Sequence, residues 1–274
     1  MRTIQGVVTE EIAAAVDATA IASEPAYRVV SYRKLVEQAA KLAYLNKDYL
    51  LFYRGQDKDY RNKVGASTFY PTIYRGAYLR RQEVEDRFER LKRAAQVLRQ
   101  AFQEQELEGH EDLCRREVIQ WSILQHYDVC ETPLLDFTHS LRVACSFALL
   151  ENGGENGYVY IFGLPYLFGR ISINSEHDIV NVRLLSIAPP GALRPYFQEG
   201  YLAGTTDITT EYRTKTELDV KNRLIAKFEI PNDKSFWGKD FSAIPRSALY
   251  PPDDRVDKLC ETIRAATVIS SKRI

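Results

Sequence analysis

The side chains best suited to chemistry in this sequence fall in three short segments. Tyr53-Arg54-Gly55-Gln56 closes the apolar run Tyr49-Leu50-Leu51-Phe52. Gln125-His126-Tyr127 is followed by Thr132-Pro133-Leu134-Leu135-Asp136-Phe137-Thr138, and Gln198-Glu199 precedes Gly200-Tyr201. Arg54 offers a planar fork suited to bidentate contact with a diphosphate or ribose, or to an ion pair with Asp136. Gly55 lets a backbone approach closely. His126 can donate, accept or shuttle a proton near neutral pH, or bond a carbonyl at a helix end. Asp136 and Thr138 can cap the helix that follows, or frame a helix start whose amides hold an anion. Tyr53, Tyr127 and Phe137 can stack on a flat ring or fill a core. Glu199 is either an exposed loop acid or a carboxylate able to stabilise a developing positive charge, worth about a few kcal/mol. His126, His139 and Asp136 match no metal-ligand motif, so no metal is expected.

The hydrophobic pattern says which elements position these groups. Helical spacing predicts a short opening helix within 8–23, a helix over 31–47 capped by Ser31, and a long charged helix over 77–108 with Val84, Phe88, Leu91, Ala95, Leu98 and Phe102 on its buried stripe. Further helices are expected over 111–125, 140–149 and 254–266. Apolar runs predict strands at 49–53, 158–162, 182–187 and 224–230, and Pro71 favours an extended segment over 67–72. Arg54-Gly55-Gln56 is expected at a strand end. The result is an α+β chain forming a single domain, its helical first half packed on a mixed or antiparallel sheet. Residues 1–30 are read as an N-terminal extension and 31–268 as the domain.

Composition narrows the class. Of 274 residues, 45% are hydrophobic, enough for a sizeable core. Lys plus Arg and Asp plus Glu are 37 each, so no global field favours nucleic acid or anionic membrane. No apolar stretch of about 18 residues is present, and no membrane span is expected. No secretory leader pattern is visible at the N-terminus. Cys114, Cys130, Cys145 and Cys260 form no Cys-x-x-Cys pair, as expected of reduced thiols in a cytoplasmic protein. Phosphate-loop, nucleophile-elbow, His-Glu-x-x-His and dinucleotide-binding glycine motifs are missing.

Taken in order, the segments resemble the FRG-domain family. Phe52-Tyr53-Arg54-Gly55-Gln56 resembles its naming motif, and Tyr70-Pro71-Thr72-Ile73-Tyr74-Arg75 the Pro-containing segment after it. Gln125-His126-Tyr127 through Thr138 resembles the central block that leads into an Ala-rich helix. Arg194-Pro195-Tyr196-Phe197-Gln198-Glu199-Gly200-Tyr201 and Leu249-Tyr250-Pro251 resemble the late elements. The resemblance spans roughly 30–265. This chain has Asp128 where glycine is usual, Phe137 for tryptophan and Tyr201 for phenylalanine, and Pro133-Leu134 lacks a common arginine. The order of elements is also similar to the ADP-ribosyltransferase fold. That similarity implies NAD as substrate, with Arg54, Thr138, Glu199 and His126 as catalytic groups. Tyr53, Gly55, Gln56, Tyr127, Asp136 and Gln198 would contact the nucleotide. It leaves open whether Gln198 or Glu199 is the third element. The implied activity is NAD-dependent ADP-ribosyl transfer or NAD glycohydrolysis in a toxin or defence effector, with a protein or nucleic-acid acceptor and no membrane partner. Two alternatives stay open: a non-catalytic nucleotide- or protein-binding module, and a hydrolytic effector that uses His126 and Asp136.

Overall fold

The computed structural model describes residues 1–76, 79–206, 212 and 214–271. The chain is α+β. Its strands are β1 (Tyr27–Arg28), β2 (Leu50–Gln56), β3 (Leu134–Thr138), β4 (Asn156–Leu164), β5 (Ile171–Asn174), β6 (Ile179–Arg183), β7 (Gly200–Thr205) and β8 (Leu224–Pro231). Its helices are α1 (Glu10–Ala13), α2 (Tyr32–Leu45), α3 (Arg81–Glu104), α4 (His110–Arg115), α5 (Glu117–His126), α6 (Leu141–Leu149), α7 (Arg194–Phe197), α8 (Arg246–Leu249) and α9 (Arg255–Ser271). Short 3-10 turns join several of them, including Thr72–Tyr74. No described helix is long and apolar enough to cross a membrane.

The residues group into two compact units, each made of three separate stretches of chain. The first unit holds Met1–Phe69, Phe137–Tyr166 and Asp219–Leu249; the second holds Tyr70–Asp136, Leu167–Leu218 and Tyr250–Ile274. The strand order in the first is β1-β8-β4-β2-β3. β2 runs antiparallel to β4 from Leu50 opposite Leu164 to Gln56 opposite Tyr158, and β1 runs parallel to β8, so the sheet is mixed. Side chains alternate across a strand, which gives β2 two distinct faces. Leu51 and Tyr53 pack with α2 and α6 residues such as Leu35, Ala144 and Ala148. Gly55 shares that face: a Cβ there would stand 1.8 Å from the Ala144 carbonyl oxygen, so only glycine allows α6 to lie this close. On the other face Phe52, Phe69, Phe137, Tyr160 and Phe162 form an edge-to-face aromatic cluster.

In the second unit the strand order is β3-β7-β6-β5, and β5–β6 and β6–β7 are antiparallel. Its core gathers Val84, Phe88, Leu91, Leu98 and Phe102 of α3 with Ile119, Ile123 and Leu124 of α5 and Val256 and Ile263 of α9. The expected stripe on the long helix is therefore the buried one, although Ala77 lies outside the described residues.

Several expectations shift. β2 continues through Arg54-Gly55-Gln56 instead of ending before it, because these three residues stay paired with Tyr160, Val159 and Tyr158 of β4. The helix expected over 111–125 is split at Arg116, which adopts extended backbone between α4 and α5. The strand expected over 182–187 is β6, ending at Arg183, with a 3-10 turn after it. Residues 68–71 are irregular, with no strand at 67–72 beyond an isolated bridge from Ser67 to Arg61. Ser31 caps α2 as expected, its side chain accepting from the Lys34 amide.

A buried polar network sits in the first unit. The Lys227 ammonium donates to the Ser67 hydroxyl at 2.8 Å, to Asp59 at 3.2 Å and to the Ala22 carbonyl at 3.2 Å. Asp59 also accepts from Ser67 at 2.5 Å, Tyr160 at 3.1 Å and Arg61 at 2.8 Å. Burial pushes the Asp59 carboxyl up, but the Ser67 bond and the Lys227 and Arg61 charges outweigh it and hold the group below its ordinary value. Burial pulls Lys227 down, and the Asp59 charge recovers only part of that. A carboxyl depressed in the folded state contributes stability that is present above its unfolded value and lost as pH falls through its folded value. Within this network the acid limb of stability reports Asp59, since lysine titrates far above it. Asp59→Asn is expected to cost about 3 kcal/mol at neutral pH by stranding the buried ammonium, and to flatten the loss of stability below about pH 4. Urea unfolding across that pH range checks both; an unchanged acid limb would contradict the assignment.

Candidate functional site

The polar centre of the second unit grows from the end of α5. His126 is its last residue, and Asp128 turns the chain with φ of 51°. That left-handed conformation suits glycine and is tolerated by aspartate, which accounts for the residue found here. The turn leaves Gln125 and His126 facing β3, where Asp136 receives both. Gln125 Nε2 donates to Asp136 Oδ2 at 2.7 Å, and His126 Nδ1 lies 3.3 Å from Asp136 Oδ1. The Gln125 carbonyl is fixed in turn, accepting from the hydroxyls of Thr132 and Thr72. An ionised carboxylate only accepts, so Nδ1 of the neutral imidazole carries the proton and Nε2 keeps its lone pair. Nε2 is buried and has no hydrogen-bond partner among the described residues. The Asp136 side chain is 35% exposed, so the centre opens to solvent on the carboxylate side.

Several groups hold the imidazole in place. The Tyr127 ring meets the His126 ring edge-on, with centroids 5.7 Å apart. Arg194 Nη1 donates to the His126 carbonyl at 2.9 Å, and Nη2 to Asp257 at 2.8 Å. The guanidinium lies 4.8 Å from the centroids of both Tyr127 and Tyr250. Gly200 starts β7 beside the ring: a Cβ there would stand 3.3 Å from His126 Cε1 and 2.8 Å from Leu184 Cδ1. Beneath them Asp254 is buried and accepts five donors. Oδ2 takes the Tyr127 hydroxyl at 2.8 Å and the amides of Leu193 and Arg194 at 2.9 and 2.8 Å. Oδ1 takes the amides of Val256 and Asp257 at the start of α9. Burial and the adjacent Asp254 charge push the Tyr127 phenol far above its ordinary value, so it stays a donor.

The expected site residues separate into groups. His126, Tyr127 and Asp136 stand together in this centre. Gln198 is buried, whereas Glu199 is exposed and adopts φ of 45°, so the inward-facing side chain of that loop is the glutamine. Tyr53, Arg54, Gly55, Gln56 and Thr138 belong to the sheet of the first unit. There Tyr53 lies opposite Thr138, and paired residues share a face. Arg54, one residue along, points to the other face with Phe52 and Gln56. Thr138 is thus not brought to the Arg54 side chain. Its hydroxyl accepts the Ser140 amide at 3.0 Å, and the residue that caps α6 is Ser140 itself, accepting from Val143. His139 stacks on Phe52, with centroids 4.2 Å apart. Gly55 meets helix backbone, so its closeness serves packing. Among the described residues no three His, Cys, Asp or Glu side chains stand together as a metal set. Two surface cavities of about 460 and 520 Å³ in the first unit are lined by none of the expected site residues.

Sequence reasoning missed Thr72, Thr132, Arg194 and Asp254 as parts of the centre. Asp254 carried a usable signal: an aspartate after Pro251-Pro252, directly before an apolar-periodic run, is a helix N-cap pattern. Thr72 and Arg194 meet partners distant in sequence, and Thr132, seven residues from Gln125, has no local signature. Replacing Asp254 by Asn would turn an amide donor toward backbone donors and strand at least one of them. Asp254→Asn is expected to lose about 2–4 kcal/mol in denaturant unfolding; a loss below about 1 kcal/mol would contradict its role.

A scan against family models matches residues 50–156 to the FRG domain. The match takes in β2, the α5–β3 block and α6, and it ends before the late Arg194–Tyr201 and Leu249–Pro251 segments. No curated protein and no solved structure matches the chain. The chain carries an FRG domain over residues 50–156.

Proposed function

We propose that the chain is a transferase or hydrolase whose proton-handling group is His126, oriented by Asp136, with NAD as its substrate. The observation that carries this reading is the buried Nε2 of His126, left without a partner while Nδ1 is held by a carboxylate. A buried polar atom without a partner costs about 1–3 kcal/mol, and such a cost is retained where the atom meets a ligand. With Nδ1–H donating to Asp136, Nε2 takes a proton from a hydroxyl or water as that oxygen attacks, and Asp136 stabilises the imidazolium that forms. Gln125 holds the second carboxylate oxygen and keeps Asp136 turned to the ring.

NAD is supported by the order of elements. Arg54 lies on β2, Thr138 ends β3 directly before the small-residue helix α6, and Gln198-Glu199 directly precedes β7. In an ADP-ribosyl transfer or NAD hydrolysis, nicotinamide leaves as the ribose becomes oxocarbenium-like, and His126 would activate the acceptor hydroxyl or water. The exposure of Glu199 favours His126 over that acid as the group on which turnover depends. A binding module would share the ligand contacts and lack turnover.

Nicotinamide release from NAD by the purified chain tests this. His126→Ala is expected to lower the rate at least about 100-fold and Asp136→Asn to lower it by a similar order, through the wrong tautomer. Glu199→Gln is expected to stay near the native rate. Full turnover in His126→Ala would overturn the role of His126, and no release by the native chain would remove NAD as the substrate.

A further inference from the structure

The nitrogen assigned to proton transfer has to be reached by a substrate, and Nε2 of His126 is closed off. The atom is buried, and the whole side chain is only 3% exposed. The stretch of chain that flanks the ring is residues 193–200. At its start the amides of Leu193 and Arg194 are fixed on Asp254, and Arg194 Nη1 holds the His126 carbonyl. At its end Gly200 passes the ring, where a Cβ would stand 3.3 Å from Cε1, the carbon between Nδ1 and Nε2. Between these points the backbone amides of Tyr196, Phe197, Gln198 and Glu199 donate to carbonyls of Leu193, Arg194 and Tyr196. Those bonds lie inside the stretch, so it can move as one piece without breaking them. The Tyr196 and Phe197 side chains are about half exposed, so they bury little apolar surface that would hold it down.

The joint of this piece is strained. Glu199 has φ of 45°, a left-handed conformation that is unfavourable for a residue with a Cβ and natural for glycine. Its side chain is exposed, and the next residue, Gly200, begins β7. Strain at such a joint raises the closed arrangement toward an open one. We propose that residues 195–199 form a strap that covers His126 Nε2 and swings about the Glu199–Gly200 joint to admit the substrate. This rests on the reading of Nε2 as the atom that meets the substrate. The amides on Asp254 keep the start of the strap in place while it opens. Gln198, buried in the closed arrangement, is the side chain that must withdraw. The left-handed cost at Glu199 is borne only while the strap is closed, so the residue at this position sets the balance between the two arrangements.

Diethyl pyrocarbonate, which acylates an unprotonated imidazole nitrogen, tests this on the full chain, with each histidine followed by peptide mass spectrometry. In the native protein His126 is expected to react at least about tenfold more slowly than the partly exposed His110, because only the open fraction reacts. Its rate is expected to stay nearly flat in urea below the unfolding transition, since a short strap exposes little surface on opening. Two substitutions at the exposed Glu199 are expected to move the rate in opposite directions. Glu199→Gly relieves the joint, favours the closed strap and is expected to slow His126 about fivefold. Glu199→Val places a β-branched side chain at positive φ and is expected to speed it about fivefold. His110 is expected to keep its native rate in both, and urea unfolding confirms that both are folded. A His126 that reacts as fast as His110, a rate that follows global unfolding in urea, or two variants with the same rate would overturn the proposal. The readout needs no NAD. A chain that releases no nicotinamide and still shows this order of rates keeps the strap and loses only NAD as its substrate.

Discussion

The candidate site depends on one buried carboxylate. Asp254 collects the Tyr127 hydroxyl, the amides that open α7 and the amides that open α9. Each of these donors would otherwise be a buried polar group without a partner, at a cost comparable to a lost hydrogen bond. One side chain thereby fixes the end of α5, the start of α7 and the start of α9 to a common point. Arg194, placed by its own amide on Asp254, then reaches the His126 carbonyl and fills the gap between Tyr127 and Tyr250. The imidazole has its main chain held from below, its Cε1 close to Gly200 and one nitrogen bound by Asp136. Little freedom is left to it except at Nε2.

The two units use polar burial differently. In the first, Lys227, Asp59, Ser67 and Tyr160 bind one another and the network is closed: the ammonium meets three acceptors and the carboxylate meets donors on both oxygens. Such a network fixes structure and offers nothing to a ligand. In the second, the chain Thr72–Gln125–Asp136–His126 is satisfied at every link but the last. A network open at one end, beside a partly exposed carboxylate, is the arrangement expected where a ligand completes the bonding.

Much of this was legible from residue types and spacing. The stripe of α3, the Ser31 cap, β4 and β8 followed from periodicity and local chemistry, which act over a few residues. The pairing of His126 with Asp136 was legible only as two adjacent motifs; their contact needs the left-handed turn at Asp128, which the sequence signals weakly. The misreadings share a cause. Arg54, Gly55 and Gln56 look like a turn because of the glycine, yet that glycine exists to admit the Ala144 carbonyl from a helix far along the chain. Arg54 and Thr138 were placed on two core strands by resemblance alone, and the register that sets Tyr53 opposite Thr138 has no local signature in the sequence. β5 and β7 escaped because short strands carry too few residues for a period to show, and Arg194 and Asp254 because their partners are distant in sequence.

The central claim is that His126 carries its proton on Nδ1, bonded to Asp136, and presents a bare Nε2. Long-range ¹H–¹⁵N correlation of the histidine rings tests it most directly. The account predicts, for the neutral form of the His126 ring, a protonated, pyrrole-like Nδ1 and a pyridine-like Nε2, with that pattern lost in Asp136→Asn. A His126 ring protonated on Nε2, or a pattern indifferent to Asp136, would contradict it.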